Sequence, residues 1–187
     1  MNPQAERRRL LLNGAGESHR AGFLARTISA VGPNARSAAE QVREVMLAVV
    51  DNEQAVPDDE QWKTLLPAWF VNACTPEQTA AESAESLRRW QAASTAERRT
   101  RHDSISWSLS SWCYWLGENR SWWSWELEVT GETLLWTLLV EEDPVPMGAA
   151  EWLVRATGLT LDVDRGRSPR LPRLRRWVPT GSWSWPG

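Results

Sequence analysis

The sequence predicts an α+β fold: a helical N-terminal half packed on an antiparallel three-strand, tryptophan-rich meander, then a helix and a fourth short strand. Over the first half of the chain, apolar residues recur at helical spacing and capping signals accompany them. Between residues 104 and 140 they alternate with polar residues at the period of a strand, and seven of the fourteen tryptophans lie there. We expect residues 1–102 and 103–164 to pack as one globular unit, with residues 165–187 as an Arg-, Pro- and Trp-rich tail.

The clearest helical pattern in the N-terminal half begins at Ser37, which makes a capping box with Glu40. An apolar stripe follows and predicts a helix that ends near Asp51. The stripe consists of Ala38, Val42, Val45, Met46 and Val49. Weaker patterns predict helices over residues 4–12 and 17–30.

A second helical region begins at residues 56–60, where acidic side chains suit the positive end of a helix dipole. Pro67 predicts a kink or a restart within this region, because proline removes a backbone donor. Thr75, followed by proline, predicts the N-cap of the next helix. Four residues of that helix should face inward: Ala80, Ala84, Leu87 and Trp90. Ser94 and Glu97 form another capping box.

Three strands are predicted in the tryptophan-rich segment, over residues 104–116, 122–130 and 133–140. The first loses its alternation at Ser110-Ser111, which predicts a bulge. Turns are predicted at residues 117–120 and around Gly131.

The two later strands each have a predicted core face. These faces are Trp123, Trp125, Leu127 and Val129 on one strand, and Leu134, Trp136, Leu138 and Val140 on the other. Leu135 and Leu139 lie on the opposite side of the sheet. They need cover, which we expect from helices or from a partner chain.

Prolines at positions 144 and 146 predict an extended linker before a helix over Gly148–Thr157, closed by Gly158. Leu159, Leu161 and Val163 then alternate as the fourth strand. A helical crossover would set this strand parallel to the third if they share a sheet.

Length, charge and composition indicate a cytoplasmic chain, since no signal peptide and no run of about 18 apolar residues is recognisable. A single lysine among many arginines and alanines suggests a bacterial source with a GC-rich genome. The tail holds six arginines and no acid, which leaves residues 1–164 with 15 basic and 24 acidic side chains, a net charge of −9. Cys74 and Cys113 are predicted to be buried thiols rather than a bridge or a metal site.

No motif for catalysis, metal binding or nucleotide binding rises above chance, so we expect no cofactor and no metal. Glu126 and Glu128 lie two residues apart on a predicted strand, so the distance between their carboxylates overlaps that of the catalytic pair in an inverting glycosidase. Alternate glutamates are also common on the solvent-exposed faces of strands, where they have no catalytic role. The side chains of His102 and its neighbour Asp103 should point apart.

The tryptophans carry the one unusual signal, because exposed aromatic clusters mark protein interfaces or ligand grooves. Most should be core, but those that flank the predicted turn are candidates for exposure. The candidate binding residues are Trp112, Trp115, Asn119, Arg120, Trp122, Glu126 and Glu128, with tail contacts from Arg173, Arg175, Arg176 and Trp177.

These features favour a cytosolic, non-catalytic protein-interaction module, an adaptor or an inhibitor, that binds another protein or a second copy of itself as a homodimer. A different class is a small-molecule-binding protein or hydrolase with a tryptophan-lined pocket, in which Glu126, Glu128, Asn119, Arg120 or His102 supply polar groups. A third is nucleic-acid contact through the tail, which predicts salt-sensitive affinity that is lost on truncation after Asp164. No membrane partner is expected.

Overall fold

A computed structural model describes residues 2–12, 23–52, 55, 57–95, 97, 107–116, 120–141 and 144–162. Within these residues the chain forms seven helices and a four-strand antiparallel sheet, which confirms the α+β class. The elements in chain order are α1 (Pro3–Leu12), β1 (Leu24–Val31), α2 (Ala35–Asn52), α3 (Asp59–Leu65), α4 (Ala68–Ala73), α5 (Ala80–Ala92), α6 (Leu109–Leu116), β2 (Trp122–Thr130), β3 (Thr133–Val140), α7 (Gly148–Ala156) and β4 (Thr160–Leu161).

The strand order across the sheet is β2-β3-β1-β4, and every neighbouring pair is antiparallel. It follows that β1 runs parallel to β2 with β3 between them, and that β3 runs parallel to β4 with β1 between them. Each parallel pair is joined by a helical connection, which gives the split βαβ topology of ferredoxin-like sheets. The predicted direction of the fourth strand relative to the third is confirmed.

The predicted first strand of the meander is wrong, because residues 109–116 form helix α6. The residues that face the core from α6 are Leu109, Trp112, Cys113 and Leu116. They lie at positions i, i+3, i+4 and i+7, which is the period of a helix rather than of a strand. The predicted bulge at Ser110-Ser111 and the predicted hairpin between the first two strands are therefore wrong as well, while residues 117–119 of the predicted turn lie outside the described residues.

The missing strand comes from the N-terminal half, where the helix predicted over residues 17–30 is replaced by β1. All eight residues of β1 pair with β3, from Leu24 opposite Val140 to Val31 opposite Thr133. This long-range pairing outweighs a weak local helical pattern, as tertiary context often does.

Several other predicted helices and turns are confirmed, but the predicted N-caps at Ser37 and Thr75 are wrong. The helix break at Pro67 separates α3 from α4, and Gly131 and Gly158 adopt the positive φ of a turn and a helix end. The helix α2 begins at Ala35, before the predicted cap, and buries its predicted stripe. The helix α5 is capped by Thr79 rather than Thr75, because Thr79 and Glu82 form a reciprocal capping box.

The core lies on one face of the sheet, beneath α1, α2 and α7, and extends to α3, α4 and α6. From β3 it receives the predicted set of Leu134, Trp136, Leu138 and Val140, all fully buried. The helix α5 contributes no buried residue, so the prediction that Ala80, Ala84 and Leu87 face inward is wrong. Among the described residues, no helix is both long and apolar enough to cross a membrane.

Candidate interaction surface

The structure divides the predicted binding residues into buried and exposed groups. Trp112 and Trp122 are fully buried, so the prediction that they are exposed is wrong. Trp115 is 37% exposed, and Glu126 and Glu128 are exposed on β2. Asn119, His102 and the tail residues Arg173, Arg175, Arg176 and Trp177 lie outside the described residues.

Trp112 forms part of an aromatic core between α4, α6 and α7. Its ring centroid lies 4.3 Å from that of Phe70, which in turn meets Trp152 at 5.3 Å. The indole Nε1 of Trp112 donates a hydrogen bond to the carbonyl of Ala149 at 3.1 Å. A buried indole with a satisfied N–H holds two helices together, so Trp112 fixes the position of α6.

Trp122 is buried because β2 contains a bulge that the sequence did not reveal. The register of β2 against β3 shifts between Ser124 and Glu126, which leaves Trp125 as the extra residue. Before the bulge Trp122 and Ser124 face the core, whereas after it Leu127 and Val129 do so. The predicted face of β2 is therefore correct only beyond the bulge.

The two core residues before the bulge are held by β3. The rings of Trp122 and Trp136 meet edge to face at 5.5 Å, and Trp136 Nε1 donates to the hydroxyl of Ser124 at 2.9 Å. Both contacts are buried. This region is consequently a structural tryptophan cluster rather than a binding surface.

Arg120 is also structural, because it is paired with a glutamate that sequence analysis did not single out. One carboxylate oxygen of Glu6, in α1, accepts from Arg120 Nη1 and from the backbone N–H of Ser124, each at 2.7 Å. The two side chains are 0% and 4% exposed. Arg9, one turn along α1, places its guanidinium 3.4 Å from the ring centroid of Trp125. These contacts fasten α1 to the bulged part of β2, and no local sequence signal marks them.

An exposed aromatic pair, Tyr114 and Trp115, lies on the outer side of α6. Tyr114 is 58% exposed and Trp115 37%, and their rings meet edge to face at 5.6 Å. Trp115 does not belong to the core cluster. The outer side of α6 thus presents two large aromatic side chains, of the types enriched in protein interfaces.

The N-terminus of α6 is held by a carboxylate from a distant part of the chain. Glu77 accepts hydrogen bonds from the backbone N–H of Ser110, at 3.0 Å, and from its hydroxyl. The Ser108 hydroxyl accepts from the N–H of Ser111, and Thr75 forms a β-bridge with Ser108. Burial would raise the pKa of Glu77, but the hydrogen bonds from Ser110 and Ser108 outweigh it and lower that pKa.

Both cysteines are free thiols near this anchor. Burial raises the pKa of Cys74 to about 11 and that of Cys113 to about 12. Neither is suited to act as a nucleophile, because the thiolate form is suppressed.

A shallow depression lies beside the bulge, lined by Arg9, Leu10, Arg43 and residues 124–127, and its enclosed volume is about 0 Å³, too small for a water molecule. Small-molecule pockets begin at roughly 300 Å³. Within the described part of the chain, no group of three or more His, Cys, Asp or Glu side chains could hold a metal ion.

No family model, no curated protein and no solved structure matches this chain.

Proposed function

We propose that this chain is a non-catalytic protein-interaction module, of adaptor or inhibitor type, and that it contacts its partner through the aromatic pair Tyr114 and Trp115. The observation that carries the proposal is the exposure of these two rings on a helix whose other large side chains are buried. Aromatic residues often dominate binding energy at interfaces, because they bury a large area at a small cost in conformational entropy.

The rigidity of α6 supports the proposal. Glu77 and Ser108 cap its first turn, and Trp112 bonds it to α7 from its inner side. A contact surface that is already ordered loses less entropy when it binds. Tyr114 and Trp115 are therefore presented in a geometry suited to recognition.

The charge of the chain supports a basic partner. The whole chain carries a net charge of −3, to which residues 1–164 contribute −9 and residues 165–187 contribute +6, and a negative field speeds encounter with a positively charged surface. We further infer that the module acts in the cytoplasm of a bacterium, and that its partner is another protein or a second copy of the chain. Nucleic-acid contact through the tail stays a prediction.

Photo-crosslinking in the native host tests this proposal. Benzoylphenylalanine would replace Tyr114 in one variant and Glu40, an exposed residue of α2, in a control. We expect a defined adduct from position 114 only, and we expect it to disappear when Trp115→Ser is added. The mass of the adduct would distinguish another protein from a second copy. No adduct, or equal adducts from both positions, would contradict the proposal.

A further inference from the structure

The face of the sheet opposite the core has buried residues that the core does not explain. We call it the open face; its residues on β1 and β3 are Ala25, Thr27, Ser29, Val31, Thr133, Leu135, Thr137 and Leu139, and on β2 they are Trp123, Glu126, Glu128 and Thr130. Leu139 is 0% exposed, as are its core-facing neighbours Leu138 and Val140, yet it does not belong to their core cluster. Leu139 is therefore covered from the open side.

Ser29, in β1, is a second residue that is covered from the open side of the sheet. Its side chain is buried, at 3% exposure, and its hydroxyl has no hydrogen-bond partner among the described residues. A buried hydroxyl without a partner is costly. The two buried residues lie on β1 and β3, whereas Thr27 and Val31 on the same face of β1 are exposed, so the middle strands are covered only in part.

The described elements offer little to cover this area. The helices that pack on the sheet, α1, α2 and α7, contribute their buried residues to the core on the other face. On the open face, Trp123 pairs with Leu139 across the strands and meets Phe23 edge to face at 5.5 Å. This aromatic contact borders one end of the face, far along β3 from Leu135.

We propose that residues 163–187 dock across the open face, with their arginines against Glu126 and Glu128 and their tryptophans and leucines against Leu135 and Leu139 of β3. The segment contains six arginines, three tryptophans and a single acid, Asp164. The two glutamates are exposed on this face. The negative charge of Glu126 and Glu128 is therefore complementary to the positive charge of the segment.

The described chain ends at Asp162, close to the open face, so residues 163–187 need to cross only a short distance to reach Glu126 and Glu128. The backbone N–H of Asp162 donates to the carbonyl of Ser29 at 2.7 Å, so the segment leaves from the edge of the sheet beside β1. From β4 to β2 is three strand spacings, or about 14 Å, which four or five extended residues can cross. The 25 residues of the segment are ample.

Residues 13–22, which precede Phe23, also lie outside the described residues and could reach this face. They contain three glycines and no large apolar side chain. Their one arginine, Arg20, is offset by Glu17, so they offer neither the apolar side chains nor the positive charge of the C-terminal segment, which is the better occupant. The inference does not depend on the proposed function, because the aromatic pair lies on α6.

Limited digestion of the full chain with trypsin tests the docking, since each arginine of the segment is a cleavage site. The variant Glu126→Gln/Glu128→Gln removes two charges from the open face, and Glu40→Gln/Glu85→Gln removes two exposed charges from α2 and α5. If the arginines pair with the two glutamates, cleavage between Arg165 and Arg176 should accelerate about fivefold in the first variant. It should not change in the second. Equal rates in all three proteins would overturn the proposal.

A crosslinker at Thr137, in the middle of the open face, identifies the occupant. Benzoylphenylalanine at this position should form an intrachain adduct with a peptide from residues 163–187, detected by mass spectrometry after digestion. An adduct with a second copy, with bound RNA or with residues 13–22 would overturn the proposal, as would the absence of any adduct.

Discussion

Arg120 and Glu6 are separated by 114 positions in the chain, and their side chains meet at 2.7 Å in a site that water does not reach. The same carboxylate oxygen accepts from the backbone of Ser124, at the start of the bulge in β2. The pair therefore couples the N-terminal helix to the strand whose irregularity determines which tryptophans are buried.

Removing one member of this pair should be strongly destabilising. Arg120→Met leaves the Glu6 carboxylate buried without its cation, and we expect the free energy of unfolding to fall by about 3 kcal/mol. The double variant Glu6→Gln/Arg120→Met should recover about 1 kcal/mol or more of that loss, because neither charge of the pair is then left buried. Urea unfolding followed by circular dichroism measures each value.

Arg7 provides the matched control on the same helix. It forms an ion pair with Asp51 at 2.6 Å, but both side chains are nearly half exposed. Arg7→Met should therefore cost less than about 1 kcal/mol. A loss for Arg120→Met no larger than that for Arg7→Met would show that the buried pair does not fasten α1.

The hydrogen bond between Trp136 and Ser124 gives a second prediction. Ser124→Ala removes the acceptor of a buried indole N–H, and we expect a loss of about 1–3 kcal/mol in the free energy of unfolding. Ser111→Ala, at an exposed position on α6, is the control and should be nearly neutral. A neutral Ser124→Ala would mean that the indole finds another acceptor.

Much of the fold could be predicted from the sequence where the pattern is local. The strands β2 and β3 follow from alternation, the break at Pro67 from the missing donor, and the end of α7 from Gly158. The elements that were predicted wrongly, β1 and α6, depend on contacts between residues that are distant in the chain. The strand β1 exists because it pairs with β3, and α6 begins where Glu77 reaches Ser110.

The candidate site was harder to predict than the fold, because a single inserted residue in a strand changes which of its side chains face the core. The bulge at Trp125 exchanges the faces of Trp122 and Trp123, and alternation alone cannot reveal it. Of the tryptophans predicted to be exposed, Trp115 alone is so. The exposure of Tyr114 beside it becomes clear only when residues 109–116 are read at the helical period.

The anchor at Glu77 should make stability depend on pH. Hydrogen bonds from Ser110 and Ser108 lower the pKa of Glu77 against the effect of burial. A carboxyl with a lowered pKa stabilises the fold above the pKa of the unfolded chain, and this contribution is lost as pH falls through the folded pKa. Glu77→Gln should thus lower the free energy of unfolding by about 0.5–1 kcal/mol at pH 7 and by less at pH 3.

Glu85→Gln, on the exposed surface of α5, is the control for that measurement. It should have little effect at either pH. If the cost of Glu77→Gln were the same at pH 3 as at pH 7, the charge of Glu77 would not matter to the anchor.

The two thiols should be unreactive while the chain is folded. With pKa values of about 11 for Cys74 and about 12 for Cys113, the thiolate fraction at pH 8 is about a hundredfold or more below that of a free cysteine. Ellman's reagent should label them slowly at pH 8 and at once in concentrated urea. Rapid labelling of the folded chain would contradict the burial.

The same shifts predict a loss of stability in alkali. A thiol with a raised pKa stabilises the fold below its unfolded pKa, near 9, and this contribution is lost as pH rises towards 11 and 12. The free energy of unfolding should fall over that range, and the fall should be smaller in a Cys74→Ala/Cys113→Ala variant.

The exposed position of α5 gives the last prediction. Its leucine, Leu87, is 56% exposed, whereas Leu153 in α7 is fully buried. Leu87→Ala should change the free energy of unfolding by less than about 0.5 kcal/mol, and Leu153→Ala should lower it by about 3 kcal/mol, because it leaves a cavity. Amide hydrogens of α5 should also exchange faster than those of α2, since no residue of α5 is buried and eight residues of α2 are. A large loss for Leu87→Ala, with slow exchange in α5, would mean that this helix is covered in solution and that its apolar side is an interface.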